Sequence, residues 1–163
     1  MWDQETNPEA PVDYTEEDVL RRIKAGPNVV VIQPERNMEV PVEVEVHDVE
    51  PGYVPDEWEH IVEASLHLPT GRLQVHECTG GVVAEFKVEP GWYRVRSFHG
   101  GFDTIAEYGA EGEDYYRVVL WPAPPAEVVV VKQWVPPQGQ PNARHQAARG
   151  LTAIKRHPES ESA

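Results

Sequence analysis

Histidines are the residues of this chain with the most versatile chemistry, because imidazole can bind zinc or transfer protons near neutral pH. Four of them, His60, His67, His76 and His99, fall in or near segments that alternate as β-strands do. A zinc site needs ligands that converge within about 2.1 Å of the ion, and no HxH or HxxxH pair supplies two neighbouring ligands. We therefore expect solvated or core-edge histidines, and we expect no metal and no other cofactor.

A group of carboxylates is the second candidate for chemistry, since hard cations such as Ca²⁺ take oxygen ligands. The group consists of Glu107, Glu111, Glu113 and Asp114. Its spacing lacks the D-x-[DN]-x-[DN]-G pattern of an EF-hand loop, so a solvated acidic loop is the favoured interpretation. Paired carboxylates of the glycosidase type stay open, because their separation is a property of the folded chain.

A third cluster combines arginine with aromatic residues, a composition typical of protein contacts. Arg94, Arg96 and Arg117 are predicted to point outward from strands that also carry aromatic side chains. Cross-strand salt bridges to Glu85 and its neighbours are an equally open interpretation. With acids of the following loop added, the predicted protein-binding residues are Trp92, Arg94, Arg96, Phe98, Asp103, Glu107, Arg117 and Trp121.

Signatures of nucleotide binding and of serine hydrolases are absent from the sequence. There is no GxxxxGK[ST] phosphate loop and no GxSxG, and Ser65 and Ser97 lie in strand contexts without a turn to expose them. The lone Cys78 cannot form an internal disulfide and is predicted to be a small core residue. The sequence therefore predicts that the chain is not an enzyme.

The elements that position these residues begin with a short amphipathic helix of ten residues. Thr15 and Asp18 resemble a capping box, and Gly26-Pro27 ends the segment. From Asn28 onward the apolar period becomes two, which indicates strands. Pro41 cannot donate to a β-ladder, so the strand of alternating valines around it is expected either at a sheet edge or paired on the side where that nitrogen faces outward.

Two turns predict hairpins with defined registers. A Pro-Thr-Gly turn predicts a hairpin with Leu66 opposite Leu73, and a Pro-Gly turn predicts another with Phe86 opposite Val95. The long connection 99–114 is expected to contain a short extra strand from 102 to 105.

Together these elements predict a mostly β protein, an antiparallel β-sandwich with one short N-terminal helix, for which a jelly roll is one arrangement that the pattern allows. Of the 163 residues, 1–135 are expected to form this single domain. Residues 136–163 begin with Pro136-Pro137 and contain almost no core-forming residues apart from Leu151 and Ile154, which predicts a flexible or disordered C-terminal tail.

Charge restricts the partners of this domain. The formal charge is −14, and the net +2 of residues 136–163 leaves −16 on residues 1–135. Such a surface repels phosphate backbones and anionic membranes and attracts basic proteins. No run of about 18 apolar residues occurs, and the N-terminal segment is acidic where a secretory signal is basic and apolar, so a cytoplasmic protein is expected.

Four segments together resemble the competence protein J family over roughly residues 12–98. They are Tyr14-Thr15-Glu16-Glu17-Asp18, Gly26 to Ile32, Val40-Pro41-Val42 and Val88-Glu89-Pro90-Gly91-Trp92-Tyr93. The resemblance implies an acidic β protein, and some members of the family inhibit a DNA-entry nuclease. The segment from Gly91 to Pro122 looks more like uncharacterised bacterial proteins.

The leading hypothesis is a non-enzymatic interaction protein, an inhibitor or immunity-type module that acts on a basic partner such as a nuclease. The alternative is a small-ligand carrier or enzyme that uses a pocket inside the sandwich. A homo-oligomer, with the valine-rich last strand at an interface, is compatible with either function.

Overall fold

The computed structural model describes residues 1–78, 81–106 and 109–136. In these ranges the chain forms ten strands, in which apolar and polar side chains alternate, and one short α-helix. The helix is α1 (Glu16–Arg21). The strands are β1 (Trp2–Asp3), β2 (Ile23–Gly26), β3 (Val29–Ile32), β4 (Val42–Val46), β5 (His60–Leu68), β6 (Arg72–His76), β7 (Val82–Lys87), β8 (Gly91–Gly100), β9 (Tyr115–Pro122) and β10 (Val129–Lys132).

Two five-stranded sheets enclose the core. Sheet A has the order β2-β3-β1-β6-β7, and sheet B has the order β10-β5-β8-β9-β4. Neighbouring strands are antiparallel except β4 and β9, which run parallel. The predicted mostly β sandwich with one short N-terminal helix is confirmed. No described helix is long and apolar enough to cross a membrane.

The main core lies between the sheets and is built from the inward side chains of both. Its fully buried members are aliphatic in the main, with Tyr93 at one end. Val62, Leu66 and Leu120 have no exposed surface at all. Period-two alternation explains this arrangement, because every second side chain of each strand faces the opposite sheet.

Helix α1 is shorter than predicted. The capping box at Thr15 and Asp18 is present, with both reciprocal hydrogen bonds. The helix stops at Arg22, whose φ of 58° is left-handed, and Ile23 opens β2 opposite Ile32. The last predicted turn is lost because pairing with the β-branched strand β3 provides more hydrogen bonds and burial than one further helical turn.

Both predicted hairpins are wrong in their pairing. Leu66 of β5 lies opposite Tyr93 of β8, and Leu73 of β6 lies opposite Phe86 of β7. The two turns therefore carry the chain from one sheet to the other. Alternation identifies the face that is buried but not the neighbouring strand, and facing sheets satisfy it as well as a hairpin does.

Of the other local predictions, one is confirmed and two are wrong. Pro41 precedes β4, which is an edge strand as expected, and its carbonyl accepts a hydrogen bond from the backbone N–H of Tyr116. The extra strand predicted at 102–105 is wrong, because Phe102–Thr104 forms a 3₁₀ turn. Cys78 is exposed and not in the core. The predicted tail, apart from Pro136, lies outside the described residues.

Candidate protein-interaction site

The predicted binding residues of β8 lie in one row on the outer face of sheet B, away from the main core. Tyr93 and Val95 point inward to that core, so the alternate positions point outward. The outward row consists of Trp92, Arg94, Arg96 and Phe98. Opposite them on β9 stand Trp121, Val119 and Arg117.

A covering segment, residues 47–59, crosses the middle of this face. Tyr53 and Trp58 pack their rings on Phe98, with centroids 5.3 and 5.1 Å away. Together with Ile61, Val119 and Trp121 they form a second apolar cluster. Sequence reasoning missed this cover, because the segment has no periodic apolar pattern.

Arg96, Phe98 and Trp121 are buried under this cover, and Arg94 is buried beside Ser65 and the carbonyl of Ala126, outside the covering segment. Arg94 is 6% exposed, Arg96 4%, Phe98 1% and Trp121 5%. Their predicted outward direction is right, but the accessible patch expected from it is not formed by these four side chains.

Glu63 of β5 holds the two buried arginines. Its carboxylate accepts hydrogen bonds from Nε of Arg94 at 2.9 Å and from Nε of Arg96 at 2.6 Å. Arg96 also donates to Glu50 at 2.5 Å, and its guanidinium lies 4.4 Å from the ring centroid of Tyr53. The salt-bridge interpretation is confirmed for this ladder, although Glu63 takes the place expected for Glu85.

One end of the outer face stays open and forms a groove of about 400 Å³ at the sheet edge. The rings of Trp58 and Tyr115 lie 5.4 Å apart on its wall. Tyr115 is 43% exposed and Val42 49%. We call this the β4–β9 groove, and its lining residues are Pro41, Val42, Glu43, Trp58, Tyr115, Tyr116 and Arg117.

Acidic side chains surround Arg117 at the groove. Its Nε donates to Glu45 at 2.5 Å. This hydrogen bond raises the pKa of Arg117 above its ordinary value against a smaller opposing effect of burial, and the charges of Glu43 and Glu57 add to the rise. Nearby, Glu59 accepts a hydrogen bond from the backbone N–H of Phe102 at 2.7 Å. The groove thus combines apolar rings with a negative rim.

The remaining predicted binding residues are spread over both ends of the sheet. Trp92 is 42% exposed and stacks on His67 at 4.6 Å, at the end away from the groove. Asp103 is exposed in the 3₁₀ turn that follows β8, on the groove side. Glu107 lies outside the described residues. The structure therefore brings Arg117 and Asp103 to one end and Trp92 to the other.

A buried ionic network lies behind the groove, and sequence reasoning missed most of it. Arg22, only 1% exposed, pairs with Glu35 at 2.7 Å. Arg36 pairs with Asp114, which also accepts a hydrogen bond from the hydroxyl of Tyr116 at 2.5 Å. Burial, with a contribution from Asp114, raises the pKa of Tyr116 above its ordinary value.

The prediction of a solvated acidic loop is therefore wrong for Asp114, which is buried. Its side chain has no exposed surface, because it is enclosed by the arginine and the tyrosine that it binds. Glu111 and Glu113 are exposed as expected. Composition could not separate these acids, since all of them occur in the same glycine-rich stretch.

Two of the four candidate histidines are deeper than predicted. His60 and His99 have no exposed surface, and their rings meet edge to face at 5.0 Å. Nε2 of His60 donates to the carbonyl of Arg21 at 3.0 Å, while its Nδ1 accepts from the backbone N–H of Trp134. Burial, with the nearby charge of Arg22, lowers the pKa of His60 to about 4. Within the described ranges, no group of three or more potential ligands could hold a metal.

Comparison with known proteins identifies a similar fold. No family model matches the chain, and no curated protein matches it. The crystal structure of ComJ, inhibitor of the DNA degrading activity of NucA, from Bacillus subtilis, is similar with a TM-score of 0.57 over 75% of this chain and 85% of that chain, at 13% sequence identity. The expected resemblance to the competence protein J family is thus confirmed as a likeness of fold.

Proposed function

We propose that this chain is a non-enzymatic protein-interaction module of the inhibitor or immunity type, which binds a basic protein partner such as a nuclease. The observation that carries the proposal is the likeness of its fold to ComJ, a protein described as an inhibitor of a nuclease. The charge of residues 1–135 gives this likeness a physical basis.

Nucleases that act on DNA contact a polyanion, and basic side chains supply that contact. A protein with −16 on residues 1–135 attracts the same basic surface and competes for it. Complementary charge of this kind accelerates association and selects basic partners over acidic ones. The acidic composition therefore supports an inhibitor of a basic protein better than it supports direct binding of nucleic acid.

The β4–β9 groove is the surface that best fits the centre of such a contact. Interface centres combine exposed aromatic side chains with a polar rim, and a few of them dominate the binding energy. Tyr115 and Trp58 supply the rings, while Glu43 and Glu57 supply negative charge at the rim. Asp103 on the same side adds to that charge.

The rival function, a ligand carrier or enzyme that uses the interior, finds less support. Aliphatic side chains such as Val62, Leu66 and Leu120 fill the space between the sheets without exposed surface. The β4–β9 groove lies on the outer face, not between the sheets. The homo-oligomer stays a prediction, for which the half-exposed Val129 and Val131 of the edge strand β10 are the residues to test by light scattering.

A capture experiment tests the proposed function. The immobilised full chain is exposed at low salt to a lysate of the organism that encodes it, and bound proteins are eluted with salt. We expect the eluate to degrade DNA, and we expect stoichiometric addition of the free chain to suppress that degradation. An eluate without DNA-degrading activity, or an activity that the chain leaves unchanged, contradicts the proposal.

A further inference from the structure

Strand β4 forms one edge of sheet B, and among the described residues no strand lies beyond it. Its hydrogen bonds with β9 show which backbone groups reach that edge. The carbonyl of Pro41 accepts from the backbone N–H of Tyr116, and the backbone N–H of His47 donates to the carbonyl of Leu120. Because the backbone groups of successive residues point to opposite sides of a strand, the odd-numbered residues face β9. The free edge consists of the N–H and C=O groups of Val42, Val44 and Val46.

The other sheet edges in the described part of the chain are β2, β7 and β10, and each has a feature that hinders a further strand. β10 has an irregular register between Val130 and Lys132, and β7 shifts its register beside His76. β2 has only four residues, with Lys24 among them. Bulges, lysines and short strands are means by which proteins protect sheet edges. β4 has none of them, since its five residues keep one continuous register with β9 and include no lysine.

The side chains of β4 divide between two faces of the sheet. Glu45 binds Arg117 on the outer face of sheet B, and Glu43, two residues earlier, shares that face. On the opposite face Val44 packs against the main core, and Val42 lies on the same side with 49% of its surface exposed. A strand added beside β4 therefore places one set of its alternate side chains next to the glutamates and the other set next to the valines.

Charge determines which kind of strand fits this edge. Residues 39–50 contain five acidic residues and no lysine or arginine. The β4 strand of a second copy would bring like charges together, which destabilises strand pairing. A segment with lysine or arginine at alternate positions meets opposite charges instead. Apolar side chains between those positions cover the exposed part of Val42.

We propose that β4 binds an extended segment of the basic partner as a further strand of sheet B. The basic side chains of this segment lie beside Glu43 and Glu45, and its apolar side chains lie beside Val42 and Val44. Backbone hydrogen bonds to the free edge hold the segment, and the two sets of side chains select it. The inference rests on the proposed function, because it states how the basic partner is bound.

Hydrogen exchange in the full ¹⁵N-labelled chain tests the added strand. The probe is the blocked peptide acetyl-Lys-Val-Lys-Val-Lys-Val-Lys-amide, which carries the required alternation. At a peptide concentration about ten times the dissociation constant, exchange of the Val44 amide should slow about tenfold, because it then proceeds from the small free fraction. The amide of Glu45, which faces β9, should change little. Unchanged exchange at Val44 overturns the proposal.

Two N-methylated peptides separate strand pairing from attraction of charge. One carries N-methyl groups on its valines and the other on its lysines. An added strand uses the N–H groups of only one of these sets, so one peptide should bind about tenfold more weakly or worse, and the other nearly as well as the parent peptide. Equal binding of the two methylated peptides overturns the proposal, because side chains alone would then explain the contact.

Matched charge variants locate the contact on the chain. Glu39→Gln with Glu43→Gln should weaken binding of the parent peptide about threefold or more at low salt, since exposed ion pairs each contribute modestly. Glu77→Gln with Glu89→Gln changes the same charge at exposed positions elsewhere and should leave binding nearly unchanged. Equal weakening by both pairs would show attraction to the net charge without a defined edge, and it overturns the proposal.

The same exchange measurement separates the partner's strand from a second copy and from the proposed function. In the chain without peptide, exchange at Val44 that slows as the chain concentration rises shows a second copy on this edge and overturns the proposal. A captured nuclease that leaves exchange at Val44 unchanged overturns the added strand and leaves the inhibitor function intact. Failure of the nuclease capture contradicts the inhibitor function and leaves the peptide result intact.

Discussion

The middle of sheet B and its β4–β9 end use the same residue types on the same strands with opposite results. In the middle, Arg96 lies under the covering segment 47–59 and binds Glu63, and the two side chains are 4% and 14% exposed. At the end, Arg117 and Glu45 form a similar pair, with side chains 29% and 26% exposed, beside open aromatic surface. The comparison teaches that the cover, and not the residue type, separates structural support from available surface.

The largest expected effect is on the buried ladder. Glu63→Ala removes the carboxylate that both Arg94 and Arg96 bind. Arg96 keeps its pair with Glu50, but the buried Arg94 loses the carboxylate that balances its charge. Removing one partner of a buried ion pair costs about 3–5 kcal/mol, so we expect the free energy of unfolding to fall by about that amount. Urea denaturation followed by circular dichroism measures it. A loss below about 1 kcal/mol would show that water reaches this ladder.

Acid should destabilise the core behind the groove through His60. The pKa of this ring is about 4 in the folded protein against an ordinary value of 6.5, so the unfolded chain binds a proton first as the pH falls. The stability is complete above pH 6.5 and decreases between pH 6.5 and 4, by up to about 3 kcal/mol at about 1.36 kcal/mol per unit.

The measurement for His60 is a difference between two curves. Urea unfolding at a series of pH values is compared for the native chain and for His60→Gln, which carries no titrating ring. We expect the stability difference between the two proteins to shrink as the pH falls through this window. A difference that is constant with pH would contradict the assignment, because other titrating groups are common to both proteins.

Substitutions in the β4–β9 groove should weaken binding of the partner and leave the free energy of unfolding nearly unchanged. With the captured nuclease as the ligand, Tyr115→Ala is expected to weaken binding about tenfold or more, which is about 1.4 kcal/mol, as for an aromatic residue at an interface centre. Loss of this half-exposed ring should lower the free energy of unfolding only slightly. Trp92→Ala is the matched control, since Trp92 is equally exposed at the opposite end. Stronger weakening by Trp92→Ala would place the contact at that end.

The smallest expected effect completes the comparison. Glu45→Gln neutralises the partner of Arg117, which makes it comparable to Glu63→Ala in the middle of the sheet. Water screens the pair of Arg117 and Glu45, because both side chains are partly exposed. We expect the unfolding free energy to change by less than about 1 kcal/mol. The same urea titration measures it. A cost as large as that of Glu63→Ala would mean that burial does not distinguish the two pairs.

Local features of the sequence were predicted well because they depend on neighbours in the chain. The capping box at Thr15 and Asp18 requires only a spacing of three residues. Pro41 indicates a sheet edge, because its nitrogen carries no hydrogen to donate to a neighbouring strand. Alternation along β8 identifies correctly that Tyr93 and Arg94 face opposite sides of the sheet. The acidic charge follows from counting.

Tertiary structure alone decided what those features contact. Alternation identifies the apolar face of β5 and of β6. Two facing sheets bury these faces as well as a hairpin does, so the turn between the strands does not show which residue lies opposite Leu66. The irregular segment 47–59 gives no pattern, yet it determines that Arg96 is buried while Arg117 reaches water. Both outcomes depend on contacts between residues far apart in the chain, and a local pattern carries no information about such contacts.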